Sequence, residues 1–166
     1  MMRKPIAICV LLSLAIPVSL AAKESLGIFG DWGAFRDPET PRCYAIAAAE
    51  DSQRKRDFQP YASVGTWPVR KLRGQVYIRL SRQVAKGARI SLTVGRQNFV
   101  LQGSGADAWA MDESGNAQIL ASMRSASAMR VSARDRLGNR FSDSYRLDGA
   151  ATAMDAALLG CARAGK

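Results

Sequence analysis

The chain has 166 residues, room for one ordinary domain, with 24 Lys and Arg against 14 Asp and Glu for a formal charge of +10. Apolar residues at 48% and charged residues at 23% exclude wholesale disorder. Histidine is absent, which excludes imidazole general bases, His-based nucleophilic triads and every His-containing zinc site.

Residues 1–21 form the first element. Arg3 and Lys4 give a basic start, Ile6 to Leu20 an apolar run, and Ser19 and Ala21 the small side chains a signal peptidase accepts. This layout predicts a signal peptide over 1–21, cut after Ala21. The apolar run of about 15 residues falls short of the ~20 that cross a bilayer, so no transmembrane segment is expected after cleavage. What remains is a single domain over 22–166 carrying 22 basic and 14 acidic residues, a charge of +8, expected in the periplasm or secreted. Cys9 is lost with the leader, leaving Cys43 and Cys161. In an exported chain an even pair of cysteines points to one disulfide, Cys43–Cys161, with two buried free thiols as the alternative.

A strand is expected from Cys43, followed by a polar, charge-rich connection over 51–71. Gln75 to Ser81 alternates, with Val76, Ile78 and Leu80 on one face and Tyr77 and Arg79 on the other. Further short strands are expected at Arg89 to Val94, Phe99 to Gln102 and Asp107 to Met111, with Trp109 in the core and a turn over Asp112 to Asn116. Ala128 to Arg134 and Arg140 to Leu147 flank the five-residue connection Asp135 to Asn139, a good hairpin loop. Turns every 8–12 residues or so predict a mainly β domain, an antiparallel sandwich or barrel-like sheet.

Two helices complete the reading. One is short, over Gln118 to Arg124. The other closes the chain, with Asp148 as its N-cap, Gly160 at its end, and Ala150, Met154, Ala157, Leu158 and Cys161 on its buried face. The disulfide would then tie this helix to the strand at Cys43.

Charge is unevenly distributed. Residues 54–96 hold eleven Lys and Arg against the single acid Asp57, and residues 124–146 hold six Arg against two Asp. Arg70, Lys71, Arg73, Arg79, Arg82 and Arg89 are the candidate patch for an anionic partner, because arginine bonds phosphate and carboxylate through a planar fork. Arg130 and Arg134 on the same outer face would extend it into a cationic sheet surface. Export removes the chain from nucleic acid, which leaves an anionic envelope component or an acidic protein as the partner. Trp67, beside Pro68 in the basic stretch, is the candidate partner contact.

Catalytic groups are scarce. Asp31, Asp107, Asp143 and Asp148 could do acid–base work on a sugar, but no spacing places two of them together. Asp112-Glu113 lacks the spacing of a calcium loop. No catalytic residue, metal or cofactor is therefore expected.

Three segments occur in order: Phe29-Gly30-Asp31-Trp32, Arg42-Cys43-Tyr44-Ala45-Ile46, and Tyr145 to Met154 closing at Cys161. Ala108-Trp109-Ala110 and Leu120 to Arg124 fall between them. Together they resemble the invasion-associated locus B family of exported proteins of Gram-negative bacteria, across essentially the whole domain. Family members often carry a cysteine four residues after the Trp of Gly-Asp-Trp, where this chain has Arg36. The resemblance implies a secreted or periplasmic β-rich envelope protein and does not imply an enzyme. The expected function is thus a non-enzymatic interaction protein docking an anionic partner. The alternatives are a small-ligand or glycan-binding module, and an envelope hydrolase or an inhibitor of one.

Overall fold

A computed structural model describes residues 22–164, so the predicted signal peptide lies outside the described residues. Ten strands form one antiparallel sheet: β1 (Glu24–Phe29), β2 (Trp32–Asp37), β3 (Arg42–Ala48), β4 (Tyr61–Trp67), β5 (Leu72–Arg79), β6 (Ile90–Val94), β7 (Gln97–Ser104), β8 (Asp107–Ala110), β9 (Ala128–Arg134) and β10 (Arg140–Arg146). Their spatial order is β1-β2-β3-β4-β5-β8-β7-β6-β9-β10. The chain meanders from β1 to β5, jumps to β6, and returns so that β8 pairs with β5 and β9 continues from β6. Helix α1 (Glu113–Met123) packs on β5 to β8, and α2 (Ala150–Ala164) crosses β1 to β5.

Alternation sets the inner face. Val76 and Ile78 on β5, Leu92 and Val94 on β6, and Met129, Val131 and Ala133 on β9 are all buried, with their neighbours turned outward. At the helical period, Ala150, Ala153, Met154, Ala157 and Cys161 bury one stripe of α2. Cys161 is bonded to Cys43 on β3, with Cα atoms 5.6 Å apart. The mainly β class, the closing helix and the disulfide that ties it down are therefore all present.

Several expectations need correction. The connection over 51–71 contains β4, a central strand. Its inward residues Ala62 and Val64 alternate with Ser63 and Gly65, a contrast too small to read as a period. The turn at Asp112 is a helix start: the Asp112 carboxylate accepts from Gly115 N at 2.7 Å and caps α1, satisfying a donor the first turn leaves open. Helix α2 begins at Ala150, with Gly149 rather than Asp148 in the capping position and its carbonyl accepting from Ala153 N at 2.9 Å. Gly160 lies inside α2, where a Cβ would sit 2.5 Å from Leu26 Cδ1, so glycine there admits β1 rather than ending the helix. Leu158 is 41% exposed, and Ala153 occupies the buried stripe in its place. Trp109 is half-buried on the outer face, while its neighbour Ala108 points into the core.

The hairpin β1–β2, which leaves no clear period in the sequence, joins the two ends of the sheet. Its turn is Gly30-Asp31, with Gly30 at φ +55°. Asp31 N donates to Asp148 O at 3.2 Å, and the Asp31 carboxylate meets Arg146 at 3.0 Å. Trp32 is fully buried. Gly149, at φ +78°, lies so close that a Cβ would fall 1.8 Å from Phe29 O. The first and last of the resemblance-bearing segments thus interlock as structural parts.

Candidate functional site

The outer face of the sheet divides into two surfaces of different chemistry. On β3, β4, β5 and β8 the outward positions carry Tyr44, Tyr61, Trp67, Tyr77 and Trp109 around a groove of about 560 Å³, in the usual range for small-ligand sites. Tyr61 and Tyr77 face one another across adjacent strands, ring centroids 5.8 Å apart. Trp67 lies over Gly65, whose absent side chain makes the room; a Cβ there would stand 2.5 Å from the indole. Such aromatic cover of a strand glycine holds the ring flat against the sheet.

Polar groups are interleaved with these rings. Ser63 and Gln75 line the groove, as do Lys23 and Arg42. The Arg42 guanidinium sits 4.8 Å from the Tyr44 ring centroid and 3.5 Å from Asp37. Beside the groove, Asp107 accepts from the Tyr77 hydroxyl at 2.5 Å and from Arg79 at 2.6 Å. Burial alone would raise the Asp107 pKa, but these two hydrogen bonds outweigh it and hold the carboxyl below its ordinary value. The Tyr77 hydroxyl is pushed up, first by burial and then by its bond to Asp107.

The second surface lies on β6, β9 and β10. Register places Arg140 opposite Arg134, and Ser142, Ser132 and Ser91 in one row across the three strands. Arg54, from the loop before β4, and Arg89, just before β6, join Arg134 and Arg140 around a groove of about 510 Å³. Three serines line it and no carboxylate does. Arg134 donates to Gly138 O at 2.8 Å and Arg54 to Arg140 O at 3.3 Å, so carbonyls orient two guanidiniums without neutralising them. Arg130 is exposed on the same face as Arg134.

The six residues of the expected patch are not one surface. Arg70 and Lys71 lie in and just after the 3-10 turn Pro68–Arg70, with Arg73 on β5 beside them. Lys71 and Arg73 share a groove with Asp112 and Glu113, which offset their charge. Arg79 is paired with Asp107, and Arg82 with Asp135 at 2.8 Å. Arg89 alone belongs to the uncompensated cluster. Trp67 stands in the aromatic groove. The sequence suggests Arg134 as an extension of the patch and counts Arg54 in the same basic stretch as Arg89, but it does not single out Arg140, because strand order and a loop contact, not spacing, bring the four together.

Three of the four acids weighed for catalysis are engaged elsewhere, and the fourth, the exposed Asp148, lies beside the β1–β2 turn. Asp31 pairs with Arg146, Asp107 with Arg79, and the buried Asp143 accepts from Ser81 N at 2.9 Å. Among the described residues no three His, Cys, Asp or Glu side chains gather as a metal-holding group, and no helix is long and apolar enough to cross a membrane. The chain matches no family model, no curated protein and no solved structure.

Proposed function

We propose that this is an exported, non-enzymatic interaction protein, akin to the invasion-associated locus B family, that holds an anionic envelope component or an acidic protein on the arginine face of β6, β9 and β10. The supporting observation is the groove lined by Arg54, Arg89, Arg134 and Arg140 with no carboxylate beside them. Four uncompensated guanidiniums repel one another, and an anion that bridges them relieves that repulsion while gaining bidentate hydrogen bonds. The serine row adds donors at the groove floor, and the field of the cluster draws polyanions in by long-range attraction.

Retention on phosphatidylglycerol vesicles and on lipopolysaccharide, followed against salt, tests the reading. Binding should weaken steeply between about 50 and 500 mM salt as the Debye length shrinks. It should be lost in the Arg134→Glu/Arg140→Glu double variant and kept in Arg70→Glu/Arg73→Glu. Binding indifferent to salt, or equal in the two charge-reversed proteins, overturns it.

A further inference from the structure

We infer that the aromatic groove on β3, β4, β5 and β8 is a second, separate site, and that its ligand is a saccharide bearing a carboxylate. Four half-buried aromatic rings on one sheet face, Tyr61, Trp67, Tyr77 and Trp109 beside the buried Tyr44, exceed what sheet packing asks for, since the main core lies on the opposite face. Flat rings of this kind offer apolar faces with polar tips. A pyranose fits both: its C–H faces lie on the rings, and its hydroxyls meet the polar groups between them.

An apolar chain fits less well. It would strip water from the Ser63 hydroxyl and the Gln75 amide and give nothing back, a cost of burying unpaired polar groups. The charge of the groove selects the type of sugar. Lys23 and Arg42 line it, and no carboxylate does. Arg42 is already presented by stacking on Tyr44, with only a long contact to Asp37. An acidic sugar therefore meets two cations on the lining, their charge offset only in part by Asp37, which is buried behind Arg42, whereas a neutral one forgoes that attraction.

The groove contains its own reporters. Trp67 and Trp109 line it, while Trp32 is fully buried elsewhere. Titrate the domain with a galacturonic acid hexamer, with maltohexaose and with laurate, reading tryptophan emission. The acidic hexamer should shift the emission, and maltohexaose should bind at least about fivefold more weakly. Trp109→Ala and Arg42→Gln should each weaken the acidic hexamer tenfold or more, with far-UV circular dichroism confirming the fold. Where Trp109→Ala fails to fold, Gln75→Ala serves in its place with the same expectation. The Arg134→Glu/Arg140→Glu variant should bind the hexamer as the parent does, which separates this site from the arginine face. The inference falls if neither saccharide shifts the emission, if laurate alone saturates the groove, if the folded groove variants bind as the parent, or if the arginine-face variant abolishes binding.

Discussion

The indole Nε1 of Trp32 donates to the carbonyl of Arg146 at 2.9 Å, across 114 residues of chain. One hydrogen bond thus joins β2 to the last residue of β10, strands eight positions apart in the order of the sheet. Trp32→Phe removes the donor, leaves that carbonyl short of a partner and opens space in the core. It should lower stability by about 2–4 kcal/mol, read as a fall in urea midpoint at unchanged slope.

Two glycines in the left-handed region separate backbone strain from steric exclusion. Gly138, at φ +84° in the β9–β10 loop, would have no atom within 4 Å of an added Cβ, so Gly138→Ala should cost about 1–2 kcal/mol from conformation alone. Gly149 carries a comparable φ, but the Phe29 carbonyl occupies the place of a side chain. Gly149→Ala should therefore destabilise well beyond Gly138→Ala. Paired thermal melts of the two variants check the ranking; equal midpoints would contradict the interlock.

Cys43–Cys161 closes a loop over a sequence separation of 118. Loops of that length correspond to about 4–5 kcal/mol in the chain-entropy model. Urea unfolding of the oxidised domain and of Cys43→Ala/Cys161→Ala should differ by about 3–5 kcal/mol. The oxidised protein should also gain about two daltons on reduction, one for each thiol formed.

Acid should unfold this domain through specific carboxylates. Asp135 is held below its ordinary pKa chiefly by the hydrogen bond from Arg82, Asp155 by that from Arg124, and Asp37 by the backbone N–H of Thr40. Asp107 is lowered too, its bonds from Tyr77 and Arg79 outweighing burial. A carboxyl lowered in the folded state binds fewer protons there than in the unfolded chain. Its contribution is complete above the ordinary value of about 3.9 and is lost as pH falls through the folded value. The urea midpoint should stay level from pH 7 to about 5 and decline below about pH 4, and Asp107→Asn should make that decline shallower.

Much of this architecture was legible because burial leaves a period in the residues. Val76, Ile78 and Leu80 announce β5, and Ala150, Met154, Ala157 and Cys161 announce the buried stripe of α2. Legibility failed where the core is built from small side chains. Ala62, Ser63 and Gly65 make a central strand with almost no contrast in hydropathy, because α2 and the Trp67 ring press close on it. Trp109 misled for the opposite reason: a large apolar residue usually marks the inside, and here it lines a groove. The arginine cluster was half visible. Arg89 stood out by local density, but Arg134 and Arg140 reach it only through the pairing of β6 with β9 and of β9 with β10, and Arg54 only by folding its loop back onto the Arg140 carbonyl.

The tie between the first hairpin and the last helix also bears on the order of folding. Strands β1 and β2 gain much of their cover only from α2, more than a hundred residues further along the chain. Contacts between such distant segments are slow to form, because the intervening chain must be ordered before they reward it. The growing polypeptide consequently lacks this closing contact until α2 itself has been made. Until α2 docks, the inner faces of β1 and β2 stay open to water, which makes this edge of the sheet the last part of the domain to close.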